Sequence, residues 1–144
     1  MPNNLTTPTK QDDDREPYLS ALVVDDEPTF CDVVCEILES YGFECFRAYS
    51  ATDALTFLES NTPDVILTDI MMPDIDGLTL IYKIRSVDRS AGVPIIVFSA
   101  KATMMDRNTC IEAGASEFLA KPFSTNHLME AIQSLLPSSK SLSL

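Results

Sequence analysis

Apolar residues fall along this chain in two alternating rhythms. Runs rich in β-formers occur at Leu19–Val24, Phe43–Ala48, Val65–Thr68, Pro94–Ser99 and Glu117–Ala120. In three of them, "ALVV", "VIL" and "IIVF", consecutive residues are apolar. A strand with one wet face alternates, so these runs predict strands covered on both faces, as in a parallel sheet. The stretches between them repeat with a helical period. Phe30, Val33, Val34, Ile37, Leu38 and Tyr41 share one helix face, and so do Leu128, Ala131, Ile132, Leu135 and Leu136. Further helices are predicted near Ala51–Ser60, Gly77–Ser86 and Thr103–Ala113. Gly42 and Gly114 suit the position just past a helix end, and Pro137 closes the last helix.

Five strands alternating with five helices predict an α/β fold, a doubly wound parallel sheet with helices on both faces. Right-handed crossovers leave few topologies, and the flavodoxin-like order 2-1-3-4-5 fits this count. Residues 1–17 carry Pro2, Pro8, Pro17 and the run Asp12-Asp13-Asp14, which predicts a disordered tail. Residues 137–144, "PSSKSLSL", predict a flexible one. A single domain, residues 18–136, is expected between them.

Composition narrows the partners. The chain has 144 residues, 45% of them hydrophobic, enough for one real core. A formal net charge of −12 disfavours nucleic acid and anionic membrane surfaces. No apolar run approaches the roughly 20 residues that span a bilayer. The N-terminal stretch lacks the apolar segment of a signal peptide and is not Arg-rich, so a cytoplasmic location is the expectation. Cys31, Cys35, Cys45 and Cys110 contain no CxxC, and His127 is the only histidine. Zinc spacing is missing. Cys31 and Cys35 are four apart on a helix, but reduced thiols packed as small apolar groups are the simpler expectation.

In doubly wound sheets, function gathers at the carboxyl ends of the strands. Asp25 and Asp26 follow the first strand, and Asp69 follows the third. Ser99 ends the fourth, and Lys121 comes just after the fifth. An aspartate at a strand end is commonly a helix cap, and Asp26 or Glu27 could cap the first helix. Convergence argues for more. Three carboxylates repel unless something positive sits among them, and Lys121 supplies one charge. The excess suits a hard, oxygen-seeking divalent cation, with Mg²⁺ the natural candidate. A carboxylate, a metal, a hydroxyl and a lysine together form a phosphoryl-transfer kit. "DIDG" is no calcium loop, because Met72 stands where that pattern needs a ligand. Gly77 there suits a turn and Asp76 a helix cap.

Four segments, "VVDDEP", "DVILTDIMMPDIDG", "IIVFSA" and "AGASEFLAKPF", together resemble the receiver domain of bacterial two-component response regulators. The likeness runs from about Tyr18 to Leu136. It implies a role for each matching position. Asp69 would be the phosphoacceptor, Asp26 a direct Mg²⁺ ligand and Asp25 the acidic neighbour that reaches the metal through water. Met71 would lend its backbone carbonyl to the metal. Lys121 would pair with the phosphoryl group, and the Ser99 hydroxyl would follow it. Phe118 would turn inward as Ser99 moves, and the Lys121–Pro122 bond would be cis. Ser99 stands where Thr is commoner, and Phe118 lacks the hydroxyl of the equally familiar Tyr. Met71 and Lys101 occupy positions that influence how long the phosphoryl group survives.

The implied donor is a histidine kinase or phosphotransfer protein. The implied output is a protein target that reads the surface of the fourth helix, fifth strand and fifth helix, which could also form a homodimer. The domain would assist its own phosphorylation and dephosphorylation as a signalling module rather than act as an enzyme. No DNA-binding or enzymatic output domain follows Pro137, so a stand-alone receiver or a fragment of a longer regulator is expected. Two rival chemistries fit the residues less well. An aspartyl-nucleophile phosphatase wants a second Asp where Met71 stands, and a flavin carrier would have its phosphate repelled by "DDEP".

Overall fold

A computed structural model describes residues 19–100 and 104–136. The tails expected at residues 1–17 and 137–144, the Tyr18 and Pro137 boundaries, Lys101 and the predicted helix start at Thr103 lie outside the described residues. The elements alternate: β1 Leu19–Val24, α1 Pro28–Ser40, β2 Phe43–Ala48, α2 Ala51–Leu58, β3 Val65–Asp69, α3 Gly77–Arg85, β4 Ile95–Ser99, α4 Met104–Ala113, β5 Glu117–Ala120 and α5 Thr125–Leu135. The strands form one parallel sheet in the order β2-β1-β3-β4-β5. This is the flavodoxin-like arrangement that the alternation predicts. Element ends shift by a residue or two from the sequence reading: β3 runs on to Asp69, and α2 stops at Leu58.

The consecutive apolar runs divide between two cores. Leu22, Val24, Ile66 and Val97 face a cluster that includes Leu58, Leu80, Ile81 and Ile84 from α2 and α3. Ala21, Val23, Leu67, Ile96 and Phe98 face another, with Val34 and Leu38 of α1 and Leu128 and Ile132 of α5. Successive strand side chains point to opposite faces, so the apolar runs Ala21–Val24, Val65–Leu67 and Ile95–Phe98 are buried at every position. Gly42 and Gly114 have positive φ, 95° and 125°, as helix-terminating glycines do. Among the described residues, no helix is long and apolar enough to cross a membrane.

The four cysteines are free. Cys31 donates its thiol proton to the Val23 carbonyl at 3.4 Å. Its hydrogen bond with the Cys35 thiol, together with burial, pushes its pKa up. Burial also raises Cys110. Neutral, inaccessible thiols of this kind behave as small apolar side chains.

Candidate functional site at the carboxyl edge of the sheet

The site begins where strands end. Asp25 extends the β1 ladder by one residue, its N–H donating to the Ala48 carbonyl at 3.0 Å. That pairing fixes its side chain at the edge of the core, 1% exposed. Its Oδ1 accepts from the Glu27 N–H at 2.8 Å, at the entry to α1. Neither candidate caps α1 through its side chain: Glu27 is the N-cap residue but makes no side-chain capping hydrogen bond, and the exposed Asp26 is not the N-cap residue. Pro28 opens the helix instead, at a position where a missing N–H costs nothing.

Asp69 is the last residue of β3, in register with Phe98 of β4. Its Oδ1 accepts from the Met71 N–H at 3.2 Å. Asp25, Asp26 and Asp69 each present a carboxylate oxygen within 4.8 Å of the others. Lys121 enters from the far side of the sheet, just past β5. Its Nζ lies 3.3 Å from Asp25 Oδ2 and 3.4 Å from Asp69 Oδ2. The Lys121–Pro122 peptide is cis.

The electrostatics of the pocket are unfavourable as they stand. Desolvation holds the Asp25 carboxyl above the usual carboxylate range, and the neighbouring Asp69 charge adds to this. The Glu27 N–H and Lys121 oppose the shift without cancelling it. Three carboxylates against one ammonium leave a net negative, oxygen-only donor set. Such a set fits a hard divalent cation and not a soft one.

Ser99 ends β4 with its side chain fully buried. It lines a cleft of about 180 Å³ with Ile70, Met71, Leu78, Thr109 and Cys110. Phe118, in register with Val97, is 5% exposed and sits in the core on the α2–α3 side. Met71 is exposed on the loop after β3. That loop is closed where Gly77 meets Ile70. The Gly77 N–H donates to the Ile70 carbonyl at 2.9 Å, and a Cβ on Gly77 would lie only 2.5 Å from Ile70 Cα. Glycine is required there because the backbones touch. Asp76 caps α3 through the Thr79 N–H.

Two features of the site escape the sequence reading. Asp74, in the same loop, accepts from the Thr52 N–H and hydroxyl, both at 3.0 Å. Those bonds, the Thr52 N–H first, pull its pKa down to about 2. Phe30, read only as part of the α1 core stripe, lies with its ring centroid 4.0 Å from Lys121 Nζ.

Comparison with known proteins identifies the family. Residues 21–133 match the family described as Response regulator receiver domain. The chain is 32% identical over 118 residues to the probable transcriptional regulatory protein TcrX of Mycobacterium tuberculosis, covering 82% of this chain and 50% of that protein. It is 33% identical over 124 residues to the transcriptional regulatory protein TrcR of the same organism, covering 86% and 48%. The chain thus spans about half the length of the curated relatives it matches. Among solved structures, the receiver domain of the sensor histidine kinase PA1611 of Pseudomonas aeruginosa superposes with a TM-score of 0.76 at 31% identity, covering 83% of this chain and 98% of that one. That structure has a magnesium ion coordinated in its active site cleft. The carboxylate edge, the parallel sheet that builds it and these matches place this chain in the response regulator receiver domain family.

Proposed function

We propose that this receiver is a phosphorylation switch with Asp69 as its phosphoacceptor. The observation that supports it most is the clustering of Asp25, Asp26, Asp69 and Lys121 at one sheet edge. A carboxylate oxygen of Asp69 attacks the phosphorus of a phosphohistidine on a histidine kinase or phosphotransfer protein. The P–N bond breaks, and the imidazole leaves with its electron pair. Asp26, Asp69 and the Met71 backbone carbonyl would hold Mg²⁺, with Asp25 reaching it through water. When bound, the ion neutralises the carboxylates and the developing phosphoryl charge. Lys121 leaves its position between Asp25 and Asp69 to pair with a phosphoryl oxygen. The Ser99 hydroxyl donates to another.

The output is conformational. The phosphoryl group brings charge and acceptor oxygens to a packed site, which draws Ser99 toward it. Phe118 and the surface of α4, β5 and α5 respond as a two-state element. That surface serves a protein target or a second copy of the chain. The domain assists its own phosphorylation and dephosphorylation, in the cytoplasm, as a signalling module. Incubation with Mg²⁺ and acetyl phosphate should add one phosphoryl mass to the wild-type protein and none to Asp69→Asn. Wild-type labelling of Asp69→Asn would overturn the assignment.

A further inference from the structure

The Lys121 ammonium sits against an aromatic cluster that the proposed chemistry does not use. Phe30, Phe98 and Phe123 come from α1, β4 and the segment before α5. Their ring centroids are 5.3 Å apart for Phe30–Phe98, 6.0 Å for Phe30–Phe123 and 6.0 Å for Phe98–Phe123. The ammonium is 4.0 Å from the Phe30 centroid and 5.3 Å from that of Phe98. Both lie inside the roughly 6 Å at which a ring face attracts a cation.

The distances to the carboxylates are telling by contrast. Charge-assisted N–H···O⁻ bonds close to about 2.7–2.9 Å when nothing prevents it. Lys121 stays at 3.3 and 3.4 Å from Asp25 and Asp69. It is therefore shared between two carboxylates and two ring faces, and it closes to the shortest charge-assisted distance on neither carboxylate. Its side chain is only 19% exposed, so water does little to screen the ring's attraction.

We propose that Phe30 is a positioning residue for phosphoryl transfer. Its ring face holds the Lys121 ammonium at the rim of the carboxylate pocket, so that the cation neither collapses onto Asp25 nor swings into solvent. An ammonium held this way is near its site of action and has only weak bonds to release. This inference rests on the reading of Asp69 as phosphoacceptor. It adds that the rate depends on the electronic character of one ring rather than on its bulk alone.

Fluorinated phenylalanines incorporated at position 30 test this, because stepwise fluorination drains the ring face of negative potential while nearly preserving its shape. The readout is the single-turnover rate of phosphorylation by acetyl phosphate at saturating Mg²⁺. Circular dichroism and melting temperature serve as controls for folding. The rate should fall stepwise from phenylalanine through mono-, di- and trifluoro analogues, with a total loss of about three- to thirtyfold. Phe30→Trp, with the stronger ring face, should retain more activity than Phe30→Leu. A flat rate across the fluorinated series, or an equal loss for every analogue, would overturn the role of Phe30. Asp69→Asn run in parallel separates the two ideas. Its loss of label beside a flat series condemns only Phe30, and its retention of label condemns both.

Discussion

Asp25 and Asp26 are neighbours in the chain and opposites in environment. Asp25 is sealed in at 1% exposure, while Asp26 faces water. The fold disfavours the charged form of Asp25, since burial raises its pKa. A folded pKa above the unfolded value means that stability from this group is present at low pH. It is lost as pH rises through the folded pKa, where Asp25 must ionise inside the protein. Neutral pH therefore finds this residue working against the fold. Asp25→Asn keeps an oxygen for the Glu27 N–H and removes the charge. In metal-free buffer at neutral pH, its melting temperature should exceed the wild-type value by a few degrees, and the gain should shrink toward acid. A thermal melt of the two proteins across pH checks this. A variant less stable than wild type at neutral pH would show that the Lys121 ion pair outweighs desolvation.

At the scale of elements, the loop between β3 and α3 is held by its neighbours more than by itself. Gly77 brings the start of α3 against the Ile70 backbone, and Asp74 reaches the N-terminus of α2. With Ser50 accepting from the Asp53 N–H, α2 is capped both by the residue that precedes it and by the β3–α3 loop. Asp74→Ala should cost about 1 kcal/mol, the usual penalty for a lost N-cap, measurable by urea denaturation at neutral pH. The sign of its pH dependence follows from the lowered pKa. A folded value of about 2 against 3.8 means that the stabilisation is present above roughly pH 4 and fades as pH falls through 2. The wild type and Asp74→Ala should accordingly converge in stability in that acid window. Asp74 is exposed, so high salt should narrow their difference at neutral pH as well. An unchanged gap at pH 2 would remove the carboxylate from the explanation.

At the scale of the molecule, a fold of two cores on one sheet places its most repulsive residues at a single edge. A cation that binds only the folded edge stabilises the whole chain by mass action. The melting temperature should rise progressively through millimolar Mg²⁺ in the wild type and stay flat in Asp26→Asn. Indifference of the wild type to Mg²⁺ would contradict the metal site at that edge.

Much of this was legible in the sequence, for a physical reason. Strands buried on both faces must be apolar at consecutive positions, and helices on such a sheet must carry a stripe, so the order of elements is written in local pattern. That order brings the strand ends together, which is why the sequence points to Asp25, Asp26, Asp69 and Lys121 as one group, the four that the fold sets side by side. Lys121 and Asp25 are 96 residues apart, yet the topology alone brings their strands to one edge. Only the tertiary structure decided what that topology does not encode. It sealed Asp25 and exposed Asp26, a difference in burial that two adjacent aspartates do not reveal. It turned Asp74 onto α2, and it laid the Phe30 ring under the Lys121 ammonium. Those outcomes depend on side-chain directions and contacts a few ångströms long between distant segments. A local pattern has no means to record them, because each partner by itself has the composition of an ordinary loop or core residue.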